Sequence, residues 1–240
     1  VMENVTNILS STHKADFEDW KSTLSDLGYY NQIYRLNAKN FGVPQKRERA
    51  YMISVLMKNS QDAVNFMRLF SYFDENSLED TDVSARLKSR EFKLKDVLRL
   101  NYDIPKYREE ADINQPNDTP SREKILHEND MLFDGKKINE IYVNTVTTKQ
   151  DRNPNSGLIT YRNGKKGKTK WRYLTPRECY MLMGFDESDY DNVVFSNPEY
   201  AKGKQLFTNE KLIKMAGNSI CVDVLEAIFR QIMEIEDLDI

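Results

Sequence analysis

Hydrophobic and polar positions follow two different periods along the first sixty residues. From Ala15 to Leu27, the apolar residues Phe17, Trp20, Leu24 and Leu27 recur at helical spacing. This predicts an amphipathic helix with that stripe in the core, ended by Gly28. Tyr30 to Leu36 and Arg49 to Leu56 read as strands, and Val1 to Ser10 as the end of a buried strand running into a polar loop. A strand, a helix and a second strand joined by a sizeable crossover fit one side of a parallel α/β sheet. Before Arg49, Gly42 and Pro44 mark a turn, because Pro44 fixes its own φ and biases Val43 toward extended backbone.

Farther along, Gln61 to Phe73 predicts a helix with Val64, Met67 and Phe70 buried, followed by a polar loop from Asp74 to Thr81. The pattern then loosens, and prolines at 105, 116 and 120 are expected to interrupt regular structure. Asn139 to Thr148 is rich in β-branched residues, and Lys149 to Gly157 is a polar, turn-rich loop. Leu158 to Tyr161 is a short strand candidate, and Asn163-Gly164 carries a strong hairpin signal. Thr175, Pro176 and Glu178 have the arrangement of a capping box with proline at the first helical position, and Gly184 stops that helix. Asp186 to Gly203 reads as a polar connection. Thr208 caps a helix from Asn209 to Ala216, which Gly217-Asn218-Ser219 breaks. Val222 to Ile232 forms the last predicted helix, with Val222, Leu225, Phe229 and Ile232 near one face.

Composition sharpens this picture in two places. With 240 residues, 30% charged and 39% hydrophobic, the chain is long enough for one large core or two small ones. A net charge of −3 gives no global basic field, but nine Lys or Arg face one acid, Asp151, between Ile141 and Arg177. Such a patch is compatible with local DNA binding and equally with a solvated loop. Two cysteines, Cys179 and Cys221, form no framework and fit a reducing compartment. No apolar run reaches membrane-spanning length and no signal peptide is visible. His13 and His127 lack cysteine or histidine company, so no metal site is expected.

Candidate chemistry concentrates at Gln45-Lys46-Arg47-Glu48-Arg49. Alternation puts Arg47 and Arg49 on one strand face and Glu48 on the other. Two guanidiniums there suit a planar, oxygen-rich ligand such as a phosphate or a base edge, or else form a solvated charge run. In the polar loop, Gln150, Arg152, Asn153 and Asn155 are candidates for base edges, and Lys165, Lys166 and Lys168 for phosphates.

Gln45-Lys46-Arg47-Glu48-Arg49 resembles the Gln-x-Arg-x-Arg motif of the DNA (cytosine-5) methyltransferases. Glu3-Asn4-Val5 resembles their Glu-Asn-Val motif, Arg172 to Phe185 the segment closing the recognition domain, and Gly217-Asn218-Ser219 the last cofactor motif. The four occur in the family's order, over about residues 1–60 and 171–240. The resemblance implies the C-terminal part of a Rossmann-like α/β methyltransferase domain with a smaller, mixed target recognition domain inserted. Expected boundaries are 1–62 for the partial catalytic domain, 63–171 for target recognition, and 172–240 for the return to the catalytic domain. It further implies that Glu3 contacts the N3 and amino edge of a flipped cytosine, that Arg49 reaches its O2, and that Arg47 braces the site. Asn218 and Ser219 would contact S-adenosylmethionine, with duplex DNA as substrate.

The family's glycine-rich loop, ribose-binding acid and Pro-Cys nucleophile do not occur in this chain. The expectation is therefore a C-terminal portion or subunit working with an N-terminal portion that carries the nucleophile, in a prokaryotic cytoplasm. A non-catalytic, site-specific DNA-binding module is the alternative, and a degenerate remnant a further one.

Overall fold

The computed structural model describes residues 1–56, 64, 67, 88 and 90–236. Its elements in chain order are β1 (Met2–Asn4), a 3-10 turn Thr6–Leu9, α1 (Lys14–Asp26), β2 (Tyr29–Asn37), a 3-10 turn Ala38–Phe41 and β3 (Glu48–Leu56). Then follow α2 (Leu94–Val97), α3 (Pro105–Ile113), α4 (Pro120–Glu128), β4 (Met131–Phe133), β5 (Leu158–Thr160) and β6 (Trp171–Tyr173). The chain continues with α5 (Pro176–Leu182), α6 (Glu187–Phe195), β7 (Glu199–Ala201), β8 (Lys204–Gln205), α7 (Asn209–Asn218) and α8 (Val222–Glu236). Two compact units result: 1–42 with 47–91 and 223–240, and 43–46 with 92–222. These units are not cut at residues 62 and 171.

In the first unit, β3 lies between β1 and β2 and is antiparallel to both. The sheet is thus not parallel at its adjacent pairs, as the strand-helix-strand reading expected. β1 and β2, joined through α1, do run the same way, but the short link from β2 to β3 can only bridge antiparallel neighbours. Ala50, Tyr51, Met52 and Ile53 are all buried, the continuous run of a strand covered on both faces. Gly42 has φ +94°, and a Cβ there would sit 1.8 Å from the Arg90 carbonyl oxygen. Asp223 at the start of α8 is buried and pairs with Arg90 at 3.0 Å.

Two predicted core stripes shift. On α1 only Phe17 is buried, whereas Trp20 and Leu27 are exposed and Leu24 is half-buried. On α8 Asp223, Val224, Ala227, Ile228 and Gln231 are buried, a face rotated from the predicted one, and Phe229 is exposed. The Gln61–Phe73 helix and the Asp74–Thr81 loop lie outside the described residues apart from Val64 and Met67. Those two are helical but exposed rather than buried.

The second unit holds the three-stranded sheet β4-β5-β6, with β4 parallel and β6 antiparallel to β5. Ile125, Leu158, Trp171 and Tyr173 pack its core, against Leu126 and Met131. Pro105 and Pro120 do not interrupt structure; each opens a helix at its first turn, where a missing N–H costs nothing. The expected polar connection after Asp186 contains α6, with an Asp186/Asp189 capping box, and the β7–β8 pair. Thr175 and Glu178 cap α5 reciprocally as predicted, and Pro176 is its first residue. Asn163-Gly164 is not the turn of a two-residue hairpin. β5 and β6 are connected through residues 161–170, and the tight turn falls at Lys166-Gly167.

Candidate functional site

Candidate residues occur in each unit. In the first, Glu3 stands opposite Tyr51 in the β1–β3 register, and Arg49 lies two residues before Tyr51 on the same sheet face. Arg49 Nε is 3.3 Å from Glu3 Oε1, and both side chains are largely covered. That oxygen is buried and makes no hydrogen bond of proper geometry, so the contact is an ion pair with acceptor capacity left over. Burial raises the Glu3 pKa, with Arg47 and Arg49 opposing but not cancelling it. The carboxyl thus keeps a proton to higher pH than an ordinary glutamate. Arg49 Nη1 also donates to the Glu48 carbonyl at 2.7 Å. Arg47 is buried, its backbone N–H donating to Asn37 Oδ1 at 3.1 Å and its carbonyl accepting from Ala38 at 2.9 Å.

Gln45 belongs to the second unit and is fully buried. Its Nε2 donates to the Leu182 carbonyl at 2.6 Å, and its Oε1 accepts from the Val146 N–H at 2.8 Å. The Lys46 N–H donates to the Val143 carbonyl, and the Val143 N–H to the Pro44 carbonyl, each at 2.9 Å. The first residue of the Gln-x-Arg-x-Arg motif therefore rivets the β-branched segment to the end of α5. Sequence reading assigned Gln45 no role, although a glutamine between proline and two arginines gave a position to question.

Asn218 and Ser219 sit differently from the expected helix break after Ala216. α7 runs through Gly217 and ends at Asn218, with Ser219 as its C-cap. Helix continues because Gly217 packs onto the Thr147–Thr148 backbone, where a Cβ would come within 2.5 Å of the Thr147 carbonyl. The Ser219 N–H is used by the Ala216 carbonyl and the Val222 N–H by the Met183 carbonyl. Those two backbone N–H groups are thus committed within the protein. What remains is the exposed Asn218 amide at the electronegative end of a helix, which suits the cationic portion of a ligand.

Gln150 and Asn155 are buried and cannot reach base edges as expected. Gln150 Nε2 donates to Ser156 Oγ at 3.1 Å, while Asn155 Nδ2 donates to the Gln150 carbonyl and its Oδ1 accepts from Gly157. The polar loop spends these amides on its own scaffold. Asn153 is exposed and bonded to Glu128, and Arg152 is exposed. Lys165 pairs with Asp112 at 2.8 Å and Lys168 Nζ donates to the Gln115 carbonyl at 3.1 Å, whereas Lys166 points to solvent. Arg162, exposed in the same loop, was not singled out from the sequence. Two of the nine basic residues are internal: Arg172 pairs with Glu178 and Arg177 with Glu110, at 2.8 and 2.7 Å. Both cysteines are buried, and burial pushes the Cys179 thiol well up.

The sequence profile of the C-5 cytosine-specific DNA methylases matches residues 1–234. The chain belongs to this family. It is 30% identical to the type II methyltransferase M2.ScrFI of Lactococcus lactis subsp. cremoris, over 98% of this chain and 54% of that protein. To the type II methyltransferase M.HhaI of Haemophilus parahaemolyticus it is 26% identical, over 95% of this chain and 60% of the other. The chain thus spans little more than half the length of these relatives. Among solved structures, the S. pombe Dnmt2 methyltransferase superposes with a TM-score of 0.62 at 20% identity, covering 99% of this chain and 67% of that one. Its fold is accordingly that of a Rossmann-like methyltransferase, and the methyl donor of the family is S-adenosylmethionine. Among the described residues no cluster of metal-ligating side chains occurs, and no helix is long and apolar enough to cross a membrane.

Proposed function

We propose that this methylase-family chain binds and activates the target cytosine of duplex DNA, and that the attacking thiolate comes from residues outside these 240. The observation that carries this reading is the Glu3–Arg49 pair, with a spare acceptor and a raised pKa on Glu3. Attack at C6 of cytosine loads charge into the ring. A carboxyl at N3 that takes up a proton more readily than an ordinary glutamate, and a guanidinium at O2, both stabilise that charge. Arg47 braces this face from its buried position. Target recognition is assigned to residues 63–171, flanked by the catalytic parts 1–62 and 172–240. Arg152, Asn153, Arg162 and Lys166 are its available DNA contacts. Asn218, with Ser219 beside it, fits one wall of the S-adenosylmethionine pocket; the cofactor, when bound, supplies the methyl group.

Neither cysteine can be the nucleophile in this reading. Cys179 is buried inside α5, and Cys221 is buried just before α8. A portion with the Pro-Cys motif, on the same polypeptide or on a partner, completes the enzyme.

The test separates chemistry from binding in the enzyme assembled with that portion. Arg49→Ala should lower methyl transfer by about 10²–10³-fold, the loss expected for one donor to developing charge, with little change in nonspecific DNA affinity. Lys166→Ala should weaken binding to all sequences and reduce the log-log salt slope by about 0.9. Equal effects of both substitutions on turnover, affinity and slope would point instead to a non-catalytic DNA-binding module.

A further inference from the structure

We infer that Asp112 is a positioning residue that shapes the basic loop 161–170 and restrains the charge of Lys165 until DNA binds. This rests on the DNA-recognition reading above. Asp112 lies near the end of α3 and is half-buried. Its two oxygens divide the loop between them. Oδ1 accepts from the Tyr161 hydroxyl at 2.8 Å and from Asn163 Nδ2 at 2.6 Å, while Oδ2 accepts from Lys165 Nζ at 2.8 Å. Asn163 passes the constraint on, since its Oδ1 accepts from the Lys165 backbone N–H at 3.1 Å. Three alternate loop positions thus converge on one carboxylate.

Electrostatics fit this role. Burial works to raise the Asp112 pKa, but hydrogen bonds from Lys165, Asn163 and Tyr161 outweigh it and hold the carboxyl below its usual range. The group stays ionised at neutral pH, so the free protein keeps Lys165 paired. Burial, with Asp112 adding to it, pushes the Tyr161 hydroxyl up to about 12, so it remains a donor. The Lys165–Asp112 pair is partly exposed, and such pairs are weak enough to be exchanged for a phosphate. Tyr161 and Asn163 also line a cavity of about 600 Å³ whose charged lining is Arg108, Lys136 and Arg162 with one acid, Asp134. The loop that Asp112 shapes therefore faces a concave, basic surface. A cation held by a carboxylate adds little to indiscriminate DNA attraction, whereas the same carboxylate fixes the side chains around it.

Two substitutions separate charge from shape in the assembled enzyme. Asp112→Asn keeps an oxygen acceptor for Tyr161 and Asn163 but releases Lys165; Asp112→Ala removes both functions. The probes are a duplex carrying the enzyme's own mapped methylation site, its single-base variants and random-sequence DNA, each titrated over a salt series. Amide hydrogen exchange across 161–170 is read without DNA. Asp112→Asn should leave exchange unchanged, raise random-DNA affinity several-fold and steepen the salt slope by up to about 0.9, because Lys165 then neutralises a phosphate without uncovering a carboxylate. Asp112→Ala should show the same steeper slope together with faster exchange. Its discrimination against single-base variants should fall about tenfold, the scale of one base contact. Unchanged slopes for both variants, or equally fast exchange in both, would overturn the inference while the wild-type enzyme still binds its site. Absence of any DNA preference in the wild-type enzyme would overturn the recognition reading itself, and this inference with it, even with the exchange pattern intact.

Discussion

Glu3 illustrates how burial sets the charge of one residue against stability. Its pKa is raised by burial against the pull of Arg47 and Arg49, so its ionised form is less favourable in the folded protein than in the unfolded chain. The sign follows from linkage. A folded pKa above the unfolded value contributes stability that is full below the unfolded pKa and lost as pH rises through the folded one. Glu3→Gln removes that dependence. The variant should melt at or above the wild-type temperature at pH 7, and the difference should shrink as pH falls into the ordinary carboxylate range. Methyl transfer should nevertheless drop by about 10²–10⁴-fold, the contribution of a positioned proton donor. Thermal melts over a pH series, beside turnover, check both. A Glu3→Gln variant less stable than wild type at pH 7 would show that the Arg49 pair outweighs desolvation. Residues of this kind are legible from sequence only through a motif, because the local pattern around Glu3 marks the end of a buried strand but not that the carboxylate itself is covered. Gln150 and Asn155 show the converse: polar residues in a polar loop look available, and only the packed loop reveals that their amides are consumed internally.

At the scale of elements, what was legible is what is local. The α5 capping box, the αL glycine after α1 and the strands β2 and β3 follow from neighbours within a few positions, and each appears within one or two residues of its expected place. Elements set by distant partners were misjudged. α7 extends through Gly217 because Thr147 and Thr148 pack against it, a fact absent from residues 209–219 themselves. Gly217→Ala should therefore cost about 1–3 kcal/mol from overpacking, against the gain of up to about 1 kcal/mol that alanine brings to an open helix position. Urea unfolding checks this, and an unchanged or higher midpoint would mean that the Thr147 segment yields freely. The α5 entry holds a second long-range feature. Glu178 caps the helix and pairs with Arg172, both side chains fully buried, and also accepts from the Arg99 N–H at 2.8 Å. Burial works to raise the Glu178 pKa, but Arg172 and these hydrogen bonds more than offset it, so the net shift is downward. Its stabilising effect is thus present above the unfolded carboxylate pKa and lost as pH falls through the depressed value. Glu178→Ala leaves Arg172 buried without its partner and should cost about 3–5 kcal/mol. Thr175→Ala, losing only the cap, should cost about 1 kcal/mol.

For the whole molecule, the decisive question is where the nucleophile resides, and the two cysteines allow a direct answer. The chain spans 54% of M2.ScrFI, and no Pro-Cys pair occurs in its 240 residues. A thiolate must approach C6 of an extruded cytosine within near-contact distance and on one side of the ring. Cys179 is enclosed in α5, beside the buried Arg172–Glu178 pair, and burial with the adjacent Glu178 charge keeps its thiol protonated. Cys221 is likewise buried, one residue before α8 begins. Sulfurs in such places pack as small apolar groups. Cys179→Ser with Cys221→Ser should therefore retain most of the methyl transfer of the assembled enzyme, once folding is matched by melting temperature and the association of the portions by co-purification. Serine at position 179 places a hydroxyl in a buried site, so a loss accompanied by a lower melting temperature reports packing rather than chemistry. Mapping the covalent complex removes that ambiguity. DNA carrying 5-fluorocytosine at the target cannot lose its C5 substituent as a proton, so the enzyme stays attached through the attacking sulfur. Peptide mapping should place the attached residue in the Pro-Cys portion, with the double-serine chain trapped as efficiently as the wild type. An adduct on Cys179 or Cys221 would instead require the packing that buries it to open during catalysis, and would make this chain the source of its own nucleophile.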